Sequence, residues 1–225
     1  MSEQRMAIIG RIRAAHAARN IASSGSDVAA RLQARARNLV PQRGQLTGDA
    51  LRAQFLNFAV KSQASVAVAA SARDVPAAIG DYLMAHQLAG PVRLSGDGWL
   101  AAMPWDRIAA YQPAPGAVME TDGAGVSVAL CGIAETATLM LTSGPDAPSA
   151  LNFLPPVHFI ALRAADIVGA LEDGWARLRL SGNGRMPRTV NLITGPSRTA
   201  DIAQTMYMGA HGPKRLHVIV VEDDG

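Results

Sequence analysis

Beyond residue 60 the sequence alternates short, valine-containing apolar runs with segments whose apolar residues recur every three or four positions. The run at 65–70 (SVAVAA) reads as a strand covered on both faces. A helix follows, with Asp74 as its cap, Pro76 in its first turn, Ile79 and Leu83 on its buried stripe and Gly90 as its stop. Further strands are expected at 91–94, 126–131, 136–141, 157–162, 189–193 and 216–221. A second helix is expected at 164–178, where Ile167, Leu171 and Trp175 are spaced at four. This alternation predicts an α/β domain with a largely parallel sheet. The runs at 126–131 and 136–141 are too close for a helical crossover, so they predict an antiparallel excursion and a mixed sheet. In such sheets ligands sit outside the carboxyl ends of the strands, which directs attention to the residues that follow them.

The amino-terminal part has another character. Ile8, Ile12 and Ala15 fall on one helical face, with Arg11, Arg13 and Arg19 around the others. After a polar break at 23–26, a second helix carries Val28, Leu32 and Arg35. A linker at 41–48 leads to a helix with Thr47 as its cap and Leu51, Phe55 and Phe58 as its stripe. Residues 1–60 hold nine Lys/Arg against three Asp/Glu, whereas residues 61–225 hold twelve against fifteen. The expected organisation is a basic helical extension over 1–45 and an α/β domain over 46–225. A basic arm suits nucleic acid, an acidic membrane surface or an acidic partner. No aromatic-interleaved basic stripe accompanies it, so nucleic acid is not an expected partner. No apolar run approaches the about 18 residues of a membrane span, and arginines cross the amino terminus, unlike a signal peptide. A cytoplasmic protein with no transmembrane segment is the expectation.

Cys131 is the only cysteine among 225 residues. The chain on its own therefore forms no disulfide framework and supplies no Cys-ligated zinc site or iron–sulfur cluster. There is no HxH or HExxH pair, so no metal site is expected. The absence of GxGxxG and GxxxxGK[ST] argues against a standard nucleotide site.

Three segments carry candidate chemistry. Gly132-Ile133-Ala134-Glu135-Thr136-Ala137-Thr138 places a carboxylate and two hydroxyls between apolar strands. Glu135 there is either a nucleophile, base or ligand anchor, or a connection residue bonded to nearby amides. In Ile193-Thr194-Gly195-Pro196-Ser197-Arg198-Thr199-Ala200-Asp201-Ile202 a strand is followed by a turn and an expected helix start. Gly195 permits an unusual turn, Ser197 or Thr199 caps, and Asp201 suits the positive end of the helix dipole. Free amides beside the Arg198 guanidinium make an anion site, and the plainer alternative is Arg198 paired with Asp201 or Glu135. Gly209-Ala210-His211-Gly212-Pro213 is a defined turn that presents an imidazole as a base, substrate donor or metal ligand, or as a structural turn histidine. Together, Glu135, Ser197, Arg198, Thr199 and His211 are expected to converge on one anion-binding pocket, with Thr136, Gly195 and Asp201 beside them.

These segments in this order, with Leu154-Pro155-Pro156-Val157-His158 between them and Leu216-His217-Val218 after, resemble the LUD-domain family in its lactate utilization protein C branch (LutC/YkgG type). The resemblance covers roughly residues 60–225. Where the family pattern carries glycine after Glu-Thr this chain has Ala137, and where an acidic residue follows Ala-Asp-Ile it has Ala203. The resemblance implies a Rossmann-like three-layer mixed sheet of the sugar-isomerase and CoA-transferase-like (NagB/RpiA/CoA transferase-like) superfamily. It also implies a non-redox subunit in the oxidation of L-lactate to pyruvate. That subunit would dock two iron–sulfur proteins, hold no cofactor of its own and bind a small carboxylate or phosphate. The alternatives are a stand-alone acyl- or phosphate-handling enzyme with Glu135 as nucleophile or base, and a small-anion or nucleotide sensor. No catalytic residue of such a subunit follows from the resemblance; Glu135 and His211 are the candidates this sequence offers.

Overall fold

The computed structural model describes residues 3–18, 25–34, 36–37, 39–182, 185–202, 205–208 and 211–223, with the side chains of 3–4, 16–18, 25–26, 199–202, 205–208 and 223 outside the description. The chain divides into two compact units, Met1–Leu39 and Val40–Gly225. The first contains helices α1 (Glu3–Ala18) and α2 (Gly25–Ala34), as the apolar spacing predicts. Arg19 and Arg35, placed on these helices from the sequence, lie outside the described residues.

The second unit begins with a short 3-10 turn, Gln42–Gly44, followed by α3 (Gly48–Lys61), β1 (Ser65–Ser71), α4 (Val75–Ala85), β2 (Val92–Leu94), α5 (Gly98–Ala101), β3 (Ala114–Pro115) and β4 (Ala124–Val128). It continues with β5 (Cys131–Ile133), β6 (Thr138–Thr142), β7 (Val157–Arg163), β8 (Ile167–Val168) and α6 (Leu171–Ser181). The last strands are β9 (Val190–Ile193), β10 (Arg198–Ile202), β11 (Thr205–Met208) and β12 (Arg215–Asp223).

Six strands form the main sheet in the order β1-β12-β7-β4-β2-β3, and every pairing in it is parallel. The expected antiparallel excursion exists, but it leaves this sheet. β5 and β6 pair antiparallel and join β8 and β9 in a second, mixed sheet of order β8-β5-β6-β9. The reason lies in β7, whose side chains are buried on both faces. Val157, Phe159 and Ala161 pack with α4 residues Val75, Ile79 and Leu83 on one side, while Ile160 and Leu162 pack with Phe55 of α3 and Leu139 of β6 on the other. The second sheet thus serves as a covering layer. Its outer face buries Ile133 and Met140 beside Leu178 of α6.

Local chemistry corrects three expectations. Residues 164–178 are not one helix: Ala164–Asp166 is a 3-10 turn, Ile167–Val168 a strand beside Gly132, and α6 begins only at Leu171. Ile167 belongs to the core between the sheets, so its spacing of four from Leu171 is coincidental. Asp74 precedes α4, but its carboxylate accepts from the Ser71 N–H and hydroxyl at 3.1 and 2.9 Å and so caps the preceding turn. Thr47 occupies the cap position of α3 without a side-chain cap bond.

Candidate functional site

A cleft of about 260 Å³ opens at the amino ends of β7 and β12, lined by Gly195, Ser197, Arg198, His211 and His158 among others. The motifs are assembled there by backbone hydrogen bonds. The Ser197 N–H donates to the Pro213 carbonyl at 2.9 Å, joining the Gly-Pro-Ser-Arg turn to the His-Gly-Pro turn. The Lys214 and Arg215 N–H groups both donate to the Pro156 carbonyl, at 2.9 and 3.2 Å, which brings in the Pro-Pro segment before β7. Gly195 is required twice over: its φ is +72°, and a side chain there would strike the Ser62 carbonyl. Arg198 and His211 are exposed at the rim.

Three expectations change. The segment after Ser197 is not a helix start but β10, paired antiparallel with β11, Arg198 opposite Met208 and Thr199 opposite Tyr207. The hairpin removes the helix-end amides from the anion site. The side chains of Thr199 and Asp201, like Ala203, lie outside the described residues. Glu135 does not line the cleft. Its N–H donates to the Gly169 carbonyl at 3.0 Å, and its carboxylate, 11% exposed, pairs with Arg43 at 3.2 Å rather than with Arg198. The Gln42–Gly44 turn, which carries Arg43, packs beside it, with Gly44 close to Ala170. Thr136 is linked to the cleft wall by a hydroxyl chain: Thr136 to Thr138 at 2.7 Å, then Thr138 to Thr194 at 2.6 Å. The cleft also sits at the amino ends of the parallel strands, opposite to the end where the sheet rule places ligands.

His158 is the cleft residue whose chemistry its sequence context conceals. It is fully buried on β7. Its Nε2 lies 3.0 Å from the Ser127 hydroxyl, which donates to Asn152 Oδ1 at 3.0 Å. With its one proton committed to Asn152, Ser127 accepts from Nε2–H. Nδ1 is then an unprotonated nitrogen, buried and without a hydrogen-bond partner among the described residues. Burial pushes the imidazole down to about 3, so the ring is neutral at physiological pH. Cys131 is also fully buried, and burial, reinforced by Asp166 and partly offset by Arg177, raises its thiol to about 11; it is not a nucleophile.

A second cleft, of about 240 Å³, opens outside the carboxyl ends of β2, β4 and β7. Ser95, Ser127, Arg163, Asp166 and Arg177 line it, and Asn152 stands between the two clefts. Sequence reasoning missed this group. The signal was present in the polar residues directly after β2 and at the end of β7, where the sheet rule directs attention. Among the described residues no group of three or more His, Cys, Asp or Glu is placed to hold a metal ion. Among the described residues no helix is long and apolar enough to cross a membrane.

Fold and cleft define an α/β protein with a parallel main sheet, a mixed covering sheet and motif turns gathered at a polar cleft. Residues 117–221 match the family model of the LUD domain, and the resemblance read from the motifs is borne out. An uncharacterized protein of Neisseria meningitidis serogroup B is 45% identical over 101 residues, covering 45% of this chain and 43% of that protein. Lactate utilization protein C of Halalkalibacterium halodurans is 33% identical over 101 residues, 44% of each chain. The match thus spans less than half the length of these two relatives. The crystal structure of a DUF162 family protein from Deinococcus radiodurans superposes with a TM-score of 0.57 at 23% identity, covering 78% of this chain and 99% of that one, which shows the fold.

Proposed function

We propose that this chain serves L-lactate utilization as a non-redox subunit that docks two iron–sulfur partner proteins and holds the substrate anion in the amino-end cleft. The supporting observation is the assembly of the motif segments around that one cleft through the Ser197–Pro213 and Lys214–Pro156 backbone bonds. Relatives named lactate utilization protein C supply the pathway.

An α-hydroxy acid presents a carboxylate and a hydroxyl donor on neighbouring carbons. Arg198 offers a guanidinium fork for the first, and His158, whose buried Nδ1 has no hydrogen-bond partner among the described residues, stands in the cleft wall. His211 at the rim donates to the anion. Ser197, tied to Pro213 through its own amide, fixes the position of Arg198 next to it. Glu135 pairs with Arg43 outside this cleft, so the reading gives it no part in holding the anion there. Electrons leave through the partners, because a single cysteine cannot anchor a cluster.

Growth on L-lactate of a strain lacking the gene tests the reading. Wild-type chain restores growth. Arg198→Ala does not, while shifting the thermal midpoint by no more than about 2 °C, as for an exposed side chain. Full growth with Arg198→Ala refutes the assignment.

A further inference from the structure

The carboxyl-end cleft is built around two arginines oriented by one buried acid. Asp166 is 8% exposed; one carboxylate oxygen pairs with Arg177 of α6, and the other lies 3.7 Å from Arg163 at the end of β7. Arg163 also lies over the Trp99 ring, 4.1 Å from its centroid, which fixes the plane of its guanidinium. The other acid of the cleft, Asp97, accepts from the Trp99 and Leu100 amides at 2.8 and 3.4 Å, so its charge is already met by the start of α5. Ser95 is 4% exposed, and its hydroxyl has no hydrogen-bond partner among the described residues. A buried hydroxyl left in that state destabilises the protein on its own.

We infer that this cleft is a second ligand site, which takes the phosphoryl group of a small phosphate monoester. The donor set decides the class. A carboxylate is satisfied by a single guanidinium fork, whereas two guanidiniums with a serine hydroxyl beside them match a dianionic tetrahedral oxyanion. The remaining volume is walled by Val128, Leu141 and Leu151, which suits a compact organic moiety on the ester oxygen. The site lies at the end of the parallel strands where such sheets bind ligands, and it does not depend on the lactate reading.

Calorimetric titration of the full chain with inorganic phosphate and with glycerol 3-phosphate, at constant ionic strength, tests this. Wild type is expected to bind both saturably, the ester more tightly. Ser95→Ala weakens binding about tenfold while its thermal midpoint is unchanged or raised, because the protein loses an unsatisfied hydroxyl. Arg177→Lys, which keeps the charge and the contact to Asp166 but loses the fork, weakens binding by at least about tenfold. Arg198→Ala leaves it unchanged. The proposal is overturned by the absence of saturable binding, by full affinity in Ser95→Ala and Arg177→Lys, or by loss of binding in Arg198→Ala, which would put the anion in the other cleft. A failure of the lactate reading leaves all these outcomes unaffected.

Discussion

Ala137 shows how a single position carries opposing terms. Its φ is +51°, in the left-handed region, where an L side chain costs about 1 kcal/mol or more. Its methyl group is buried in the core between the sheets, which returns about 0.8 kcal/mol. The positive φ explains why a glycine suits this turn in the family pattern. Ala137→Gly relieves the backbone but removes the methyl and loosens the unfolded chain, so urea unfolding should place it within about 0.5 kcal/mol of wild type. Ala137→Val, β-branched in the same backbone state, should cost about 2 kcal/mol or more. The buried histidines give the second expectation at this scale. Burial lowers His158 to about 3, and burial together with His86 lowers His217 to about 4. Both bind a proton more readily when unfolded, so their stabilisation is complete above about pH 6.5 and is lost as the pH falls toward the folded values. Each contributes a slope of about 1.4 kcal/mol per pH unit across that window. Chemical unfolding between pH 4 and 6.5 should therefore show stability falling with acidification, with about half the slope in His158→Gln. An unchanged slope in that variant contradicts the assignment.

At the scale of elements, the amino-terminal helices form their own compact unit, Met1–Leu39. Removal of residues 1–39 should leave a cooperatively unfolding domain, because the core clusters are built from residue 51 onward. If the chain docks iron–sulfur proteins as proposed, their capture should be salt-sensitive and weakened by this truncation. A truncated chain that does not fold contradicts this division. Most strands of the main sheet were legible in the sequence, because strands buried on both faces, such as β7 and β12, read as continuous apolar runs. What was not legible depends on long-range partners. The 194–202 segment carries helix-cap residues, yet β11 supplies a pairing partner that turns it into a hairpin. Ile167 follows helical spacing, yet Gly132 offers it a strand edge. The site divides in the same way. The Gly-Pro-Ser-Arg and His-Gly-Pro turns meet as their co-occurrence implies, while Glu135 is diverted by Arg43, a residue 92 positions away that no local pattern links to it.

For the whole molecule, the covering sheet decides where chemistry can occur. By closing one face of the parallel sheet it leaves polar openings at the two ends of β7, separated by the His158–Ser127–Asn152 hydrogen bonds. One end gathers the motif turns around Arg198 and His211, and the other holds the Arg163–Asp166–Arg177 cluster. In the proposed function the motif cleft receives an α-hydroxy acid through Arg198, with His158 in its wall. Titration of isotope-labelled full chain with L-lactate, followed by the ring resonances of His158 and His211 and the amide of Ser197, tests it directly. Saturable shifts are expected at these three residues in the wild-type chain, and their disappearance in Arg198→Ala. Shifts that are absent from the wild-type chain, or that persist unchanged in Arg198→Ala, contradict it.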